Sequence, residues 1–570
     1  MHNESLVDAW LSKIEPADAA ELTNSLGVDA LDVEDAFSQS LAFGTGGLRG
    51  MMGMGPNRMN IYTVAQATQG LANYLLSSFD NPIVAVCRDS RNMGERFVKK
   101  AAGVLAANGI ATRVFPRVEP TPALSFAVRA LGCEAGINIT ASHNPAVYNG
   151  YKVYGPDGCQ ITPQVAQKIQ GAIEDIDIFE GVRCLDFDEA LEAGLVEWID
   201  DEVLESYLLG IVNYDEAIEE IEGEIGLVYT PLNGVGLECM TKVFSQIGID
   251  DYRVVSEQAM PNGDFPTCPS PNPEIRESLE LGLKLSEEAH PDLLLATDPD
   301  ADRVGVAVPC GGDYEILTGN EVGVLLLDWL CRMLIQSGSS PEGKVVVSTV
   351  VSSALADELA VKYGFELRRT LTGFKYIGEQ IGLLESVGEL DRFLFGFEES
   401  CGYLAGTQVR DKDGVMASML ICQMARWYRA RGASLHEVLD AIYREYGFYR
   451  NALLSVSCEG VLGMEQLADT ISGLRKNPPR TIAGLEVVRV IDYAAGIDMP
   501  ILNGSGTGLQ KLEPSNVLEF RLEDDNRVII RPSGTEPKAK AYLFSRSESL
   551  RGSEERLASL RAASLELLGA

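Results

Sequence analysis

The sequence predicts an α/β protein: three related α/β domains with mixed, mainly parallel sheets, followed by a smaller C-terminal α+β domain. Three observations carry this reading. An apolar run that leads into a polar loop and then a helical stretch occurs at Ile83–Cys87, Ile225–Tyr229 and Val345–Thr349. Short apolar runs alternating with helices are the pattern of parallel sheets covered by helices. The chain has 570 residues, which at roughly 150 residues per domain suggests three to five domains. Near the end, Val517–Leu522 and Arg527–Arg531 flank Glu523-Asp524-Asp525-Asn526, a hairpin signal rather than a strand–helix unit.

The elements follow in order. Residues 5–40 read as an acidic helical lead-in. After the strand at Ile83–Cys87 comes Arg88-Asp89-Ser90-Arg91 and a helix to about Ala107, then a strand at Gly136–Thr140. Ile225–Tyr229 leads through Thr230-Pro231-Leu232-Asn233-Gly234 into a helix, and Asp292–Thr297 is a further strand. The apolar stretch Val322–Leu334 is broken by Asp328 and Arg332 and reads as a buried helix. Val345–Thr349 precedes a helix over 353–363; the tail adds a strand at Ala539–Phe544 and an amphipathic helix from about Ser549 to Leu568. The expected domains are 1–208, 209–322, 323–447 and 448–570.

Composition excludes several classes. The formal net charge is -36, which argues against nucleic acid or an anionic membrane as partner, because both need a basic face. An anionic substrate would therefore need a local basic island. The eleven cysteines are dispersed and form no C-x-x-C pair, which speaks against a zinc ribbon and for a reducing cytoplasm. Met1–Ser5 shows no leader pattern, and no stretch approaches the ~20 apolar residues of a spanning helix.

Three loops carry chemistry. The first is Thr140-Ala141-Ser142-His143-Asn144-Pro145, with Asn149-Gly150-Tyr151-Lys152 after it. It places a hydroxyl, an imidazole and an ammonium at a strand's carboxyl end, where open α/β sheets bind ligands. A hydrolase triad is disfavoured: there is no G-x-S-x-G elbow, and adjacent residues rarely form a nucleophile–base hydrogen bond. The second is Asp298-Pro299-Asp300-Ala301-Asp302-Arg303, directly after an apolar strand. In extended backbone alternate side chains share a side, so three carboxylates would converge and require a cation; oxygen ligands select magnesium or calcium. The third is Arg531-Pro532-Ser533-Gly534-Thr535-Glu536-Pro537. It offers a guanidinium fork and a run of backbone N–H groups to a phosphate, or else a tight turn between strands.

Weaker signals are Thr372-Gly373-Phe374-Lys375, which ends an extended stretch, and Phe395-Gly396-Phe397-Glu398-Glu399-Ser400, which follows a strand at Arg392–Leu394. Gly44–Gly50 reads as a flexible glycine-rich loop carrying Arg49. Gly338–Lys344 imitates a phosphate-binding loop, but Val345 stands where Ser or Thr is needed and a strand follows, so it carries no weight.

In order and spacing, the motifs T-A-S-H-N-P, D-P-D-A-D-R, G-F-E-E-S and R-P-S-G-T-E-P resemble those of the α-D-phosphohexomutase superfamily, from about Phe43 to Phe544. F-G-T-G-G-L-R-G, T-G-F-K-Y-I-G and F-G-F-E-E-S resemble its bacterial phosphoglucomutase branch most. The resemblance implies four domains around a central active-site cleft and an intramolecular phosphotransferase. It implies Ser142 as phosphoserine and, with Asp298, Asp300 and Asp302, as ligand of one magnesium ion. It implies His143 and Lys152 as acid/base groups and Arg49 and Arg303 as active-site cations. Thr372, Gly373, Lys375, Glu398 and Ser400 would contact the sugar, while Arg531, Ser533, Gly534 and Thr535 would hold the non-reacting phosphate. The implied reaction interconverts glucose 1-phosphate and glucose 6-phosphate through glucose 1,6-bisphosphate. Alternatives are mannose or pentose phosphates, a metal-dependent phosphatase, or a non-catalytic sugar-phosphate sensor.

Overall fold

In the computed structural model the described residues are 2–28, 30–44, 46–214, 221, 223–457, 460–500, 512–532 and 538–569. Four groups of strands account for the architecture. The first sheet contains β1 (Gly47–Met51), β2 (Ile83–Arg88), β3 (Ala111–Val114), β4 (Ala135–Ile139), β5 (Tyr148–Tyr154) and β6 (Val196–Trp198), in the order β1-β5-β4-β2-β3-β6. β2, β3, β4 and β6 are parallel, and β5 and β1 turn the sheet mixed by pairing antiparallel. Parallel strands buried on both faces read as unbroken apolar runs, and every residue of β4 is buried. Val84, Val86, Phe97, Leu105, Ile137 and Ile139 form the centre of this core.

Local capping starts the helices. Asn60 Oδ1 accepts the N–H groups of Tyr62 and Thr63, and Thr63 Oγ1 accepts that of Asn60. This reciprocal box fixes the start of the helix Ile61–Ser78, which packs its apolar face into the core. The acidic lead-in forms helices at His2–Leu11, Pro16–Val28 and Ala30–Ala36, anchored by Trp10 edge-on to Phe37, Tyr62 and Phe179.

The second sheet runs β11-β10-β9-β7-β8, with β7 (Leu227–Thr230), β8 (Tyr252–Val254), β9 (Leu293–Thr297), β10 (Val304–Cys310) and β11 (Asp313–Leu317). β7, β8 and β9 are parallel; β10 and β11 are antiparallel. β12 (Val345–Thr349) and β13 (Glu366–Thr370) pair in parallel, whereas β14 (Phe393–Glu398) and β15 (Gly402–Ala405) are antiparallel. The tail is wholly antiparallel: β16 (Phe448–Ser457), β17 (Thr481–Ile482), β18 (Leu485–Asp492), β19 (Ile497–Pro500), β20 (Leu518–Leu522), β21 (Arg527–Pro532) and β22 (Lys538–Ser547). The helix Leu550–Leu568 covers it through Leu560 and Leu568. The expected fold class holds: three α/β domains with mixed sheets and a C-terminal α+β domain.

Two sequence readings need correction. Gly47–Met51 is strand β1, not part of a flexible loop. Its glycine serves close approach, since a Cβ on Gly47 would overlap the Tyr151 carbonyl oxygen of β5. β14 runs on to Glu398, four residues past the expected strand end at Leu394.

The chain forms two compact units, one of residues 1–322 and 374–432, the other of residues 323–373 and 433–570. Among the described residues no helix is long and apolar enough to cross a membrane.

Candidate active site

β2 and β4 are parallel neighbours, with Arg88 opposite Ile139, so the loops leaving their carboxyl ends lie side by side. The β4 loop carries Ser142, which is buried and has φ 51. A left-handed conformation costs a non-glycine residue about 1–2 kcal/mol, and the β2 loop holds it there. Thr140 Oγ1 accepts the Ser142 N–H at 2.8 Å and donates to Asp89 Oδ2 at 2.6 Å. The Arg91 guanidinium donates to the carbonyls of Ser142 (2.5 Å), Pro145 (3.0 Å), Tyr148 (2.9 Å) and Asn144. It also stands 3.4 Å from Asp89 and over the Phe265 ring.

The three aspartates follow β9. They do not converge by strand alternation, as extended backbone would require. The loop is a tight turn: Ala301, φ 48, donates its N–H to the Asp298 carbonyl at 2.9 Å. Asp298 Oδ1 then accepts the N–H groups of Asp302 and Arg303, both at 3.1 Å. The turn brings carboxylate oxygens of Asp298, Asp300 and Asp302 within 4.8 Å of one another, all buried. Ser142 Oγ donates to Asp298 Oδ2 at 2.8 Å, joining the loops of the first and second sheets.

Charge balance defines what the site can hold. Asp300 Oδ2 accepts from Thr121 Oγ1 at 2.7 Å and Lys152 Nζ at 2.9 Å. Asp300 Oδ1 and Asp302 Oδ1 are buried without a hydrogen-bond partner among the described residues. Burial, then repulsion from Asp300 and Asp302, pushes Asp298 well above the usual carboxylate range. Burial also acts on Asp300, but Lys152 and Thr121 outweigh it and hold its carboxyl low. Clustered carboxylates with orphaned oxygens fit a hard divalent cation.

The predicted cations and acid/base groups surround this cluster. β1 pairs with β5 so that Arg49 lies opposite Gly150 and Gly47 opposite Lys152. Arg49 is solvent-exposed and shares the field of Arg303, Asp300 and Asp302. Arg303 donates to the Ser400 carbonyl at 3.0 Å, and its Nε is 3.6 Å from Asp302. His143 Nδ1 is 3.3 Å from Ser142 Oγ, a contact between adjacent residues that the left-handed turn at Ser142 makes reachable. Burial, then Arg303 and Arg49, pushes His143 well below its ordinary value, so its imidazole is neutral at neutral pH.

Three family models match the α/β domains: phosphoglucomutase/phosphomannomutase alpha/beta/alpha domain I over residues 40–178, domain II over 205–311 and domain III over 318–446. A phosphoglucomutase of Staphylococcus saprophyticus is 34% identical over 517 residues, covering 90% of this chain and 92% of its own. The chain belongs to the phosphoglucomutase/phosphomannomutase family. A Haemophilus influenzae family member named as a phosphomannomutase is 35% identical, covering 88% of this chain and 96% of its own. The fold is also that of the open-form crystal structure of pp63/parafusin, a phosphoglucomutase from Paramecium: TM-score 0.70, 17% identity, 93% and 95% covered.

Two residues of this phosphoglucomutase/phosphomannomutase family member escaped the sequence reading. One is Arg91, described above. The other is Lys412, buried, with Nζ 3.1 Å from Asp302 Oδ2 and 3.2 Å from Asp411 Oδ1. Burial lowers the Lys412 pKa, but Asp302 and Asp411 together outweigh it, so it stays protonated. Its signal was the run Arg410-Asp411-Lys412-Asp413-Gly414 ahead of an apolar helix. Asp411 accepts from Tyr154, and Asp413 caps that helix through Met416 N–H.

Of the predicted sugar contacts, Glu398 is buried beside Lys412: a Cβ on Gly402 would strike the Lys412 side chain and stand 3.8 Å from Glu398 Oε2. Ser400 meets the site through its carbonyl. Lys375 is the second residue of the helix Phe374–Ser386 and lines a cavity of about 380 Å³ with Tyr154, Gln160 and Glu379. Thr372, Gly373 and Arg531 belong to the other compact unit, and Arg531 is half-buried at the end of β21. Ser533, Gly534 and Thr535 lie outside the described residues.

Proposed function

We propose that this chain is a magnesium-dependent phosphoglucomutase that interconverts glucose 1-phosphate and glucose 6-phosphate through phospho-Ser142. The observation that carries the reading is the 2.8 Å hydrogen bond from Ser142 Oγ to Asp298 in the buried aspartate cluster. The relatives named phosphoglucomutase support glucose as the sugar.

Asp298, Asp300, Asp302 and the phosphorylated Ser142 would hold the ion. Magnesium bound there supplies positive charge to the transferring phosphoryl oxygens. The chain's own residues do the rest. Lys152, Arg303 and Lys412 make a basic island within a protein of net charge -36, which draws in and stabilises the phosphoryl group. In the first step the sugar's free hydroxyl oxygen bonds to phosphorus while the Ser142 Oγ–P bond breaks. The hydroxyl proton passes to neutral His143 and from it to Ser142 Oγ. The product is glucose 1,6-bisphosphate. After the sugar turns around, the same steps reversed return the other phosphoryl group to Ser142. Lys375, Glu398 and Ser400 are assigned to the sugar, as are Thr372 and Gly373, and Arg531, Ser533, Gly534 and Thr535 are assigned to the phosphate that does not react.

The dispersed cysteines, with no C-x-x-C pair, support a cytoplasmic location. A second reading, phosphomannomutase, is favoured by the Haemophilus influenzae relative. The deciding experiment measures turnover of glucose 1-phosphate and mannose 1-phosphate with magnesium and trace bisphosphate. Glucose 6-phosphate should form faster than mannose 6-phosphate. Faster turnover of mannose 1-phosphate would reverse the assignment, and accumulation of inorganic phosphate would make the protein a phosphatase.

A further inference from the structure

A second cavity, of about 300 Å³, lies within the unit that holds the C-terminal domain, between the segment 350–369 and the tail sheet. Among the described residues three guanidinium groups line it: Arg369, Arg521 and Arg527. Two of them are already neutralised. Arg369 pairs with Asp357 at 2.7 Å and donates to the carbonyls of Thr349 and Ser353. Arg521 pairs with Glu519 at 2.7 Å, and Glu519 also accepts from Tyr493 at 2.6 Å.

Among the described residues Arg527 has no ion-pair partner. It is 8% exposed, lies over the Phe544 ring at 4.5 Å, and donates from one terminal nitrogen to the Ser352 carbonyl at 2.9 Å. Its Nε is buried without a hydrogen-bond partner among the described residues. Burial pushes its pKa down; Glu519 opposes this, and Arg369 adds to it. The other acidic lining groups compensate poorly: Asp525 is exposed and Glu358 half-buried, so water competes for both. A buried cation without a direct ion pair is costly, and a guanidinium fork is matched by the oxygens of phosphate or carboxylate.

We infer that this cavity is a binding site for a small oxyanion, a phosphate or carboxylate group, anchored on Arg527 and separate from the substrate-phosphate grip. Arg531 lies four residues further along β21, roughly 13 Å at the usual strand rise. A ligand on Arg527 would tie β21 to the loop after β12 through Ser352. The inference does not depend on the reaction proposed above.

Crystals of the full chain soaked in orthophosphate or in malonate test it directly. Orthophosphate alone bound within hydrogen-bond distance of the Arg527 guanidinium would mark a phosphorylated ligand; malonate, alone or with phosphate, a carboxylate-bearing one. An empty cavity at concentrations that fill the Arg531 loop would overturn the proposal. In solution, without magnesium, orthophosphate should raise the thermal midpoint saturably. Arg527→Gln should weaken that response about tenfold or more, and Arg531→Ala should leave an Arg527-dependent part of it. Loss of the whole response in Arg531→Ala would sink the separate site. If Arg527→Gln fails to fold, Ala354→Trp, which fills the cavity from an uncharged lining position, should abolish the response; an unchanged response there would also refute it.

Discussion

Lys412 Nζ lies 3.1 Å from Asp302 Oδ2, so a lysine after β15 neutralises an aspartate after β9 at the centre of the site. Replacing it should separate charge stabilisation from metal binding. Lys412→Met removes a competitor for Asp302, so magnesium affinity should be unchanged or higher, while kcat falls on the order of 100-fold because a preorganised charge is lost. Calorimetric titration of magnesium beside steady-state rates checks this. A parallel loss of both would mean that Lys412 only holds the loop together.

Ser142→Ala should abolish phosphoenzyme formation and turnover, as seen by intact mass after incubation with glucose 1,6-bisphosphate. It also strips Asp298 of a buried donor, so the metal-free protein should lose about 1–3 kcal/mol of stability. Magnesium should restore most of that. Wild-type turnover in this variant would remove the serine from its role.

Arg91 satisfies four carbonyls of the Ser142 loop. Arg91→Met should lower kcat strongly while leaving KM for glucose 1-phosphate within a few-fold, because the fault lies in where Ser142 Oγ points. Arg91→Lys keeps the charge but not the planar fork, and should recover only part of the rate. Equal rates for Met, Lys and wild type would show that the loop holds its shape unaided.

Glu119 supplies a pH test of stability. Burial raises its pKa from 4.5 to about 7 although Arg117 opposes the shift. The folded pKa exceeds the unfolded one, so the native state binds this proton more tightly. The resulting stabilisation is complete below about pH 4.5 and is lost as pH rises through about 7. At 1.36 kcal/mol per unit the full effect is on the order of 3 kcal/mol. Glu119→Gln should therefore gain stability relative to wild type between about pH 5 and pH 8, measured as urea midpoints of the first unfolding transition. A difference that does not change with pH would contradict the burial argument.

What the sequence made legible were the strand–loop–helix units and the polar loops at strand ends. Apolar runs such as Leu293–Leu295 announce a strand buried on both faces, and Asp298 follows where such a strand must stop. That the Asp298–Asp302 carboxylates converge was legible, though for the wrong geometric reason: the left-handed Ala301 and the Asp298 turn bring them together, not a two-residue alternation. The role of Gly47 was hidden for a similar reason, because close approach to β5 is a property of the pairing partner.

By itself the sequence determined the fold class, the family motifs and the residue types of the site, since strand burial and turn chemistry are local properties of the chain. Tertiary structure alone decided that Ser142 reaches Asp298, that Arg91 clamps the serine loop and that Lys412 rather than a nearer lysine meets Asp302. Hydrogen bonds and ion pairs depend on which groups share a dry space, and residues distant along the chain share one only after the sheets have packed.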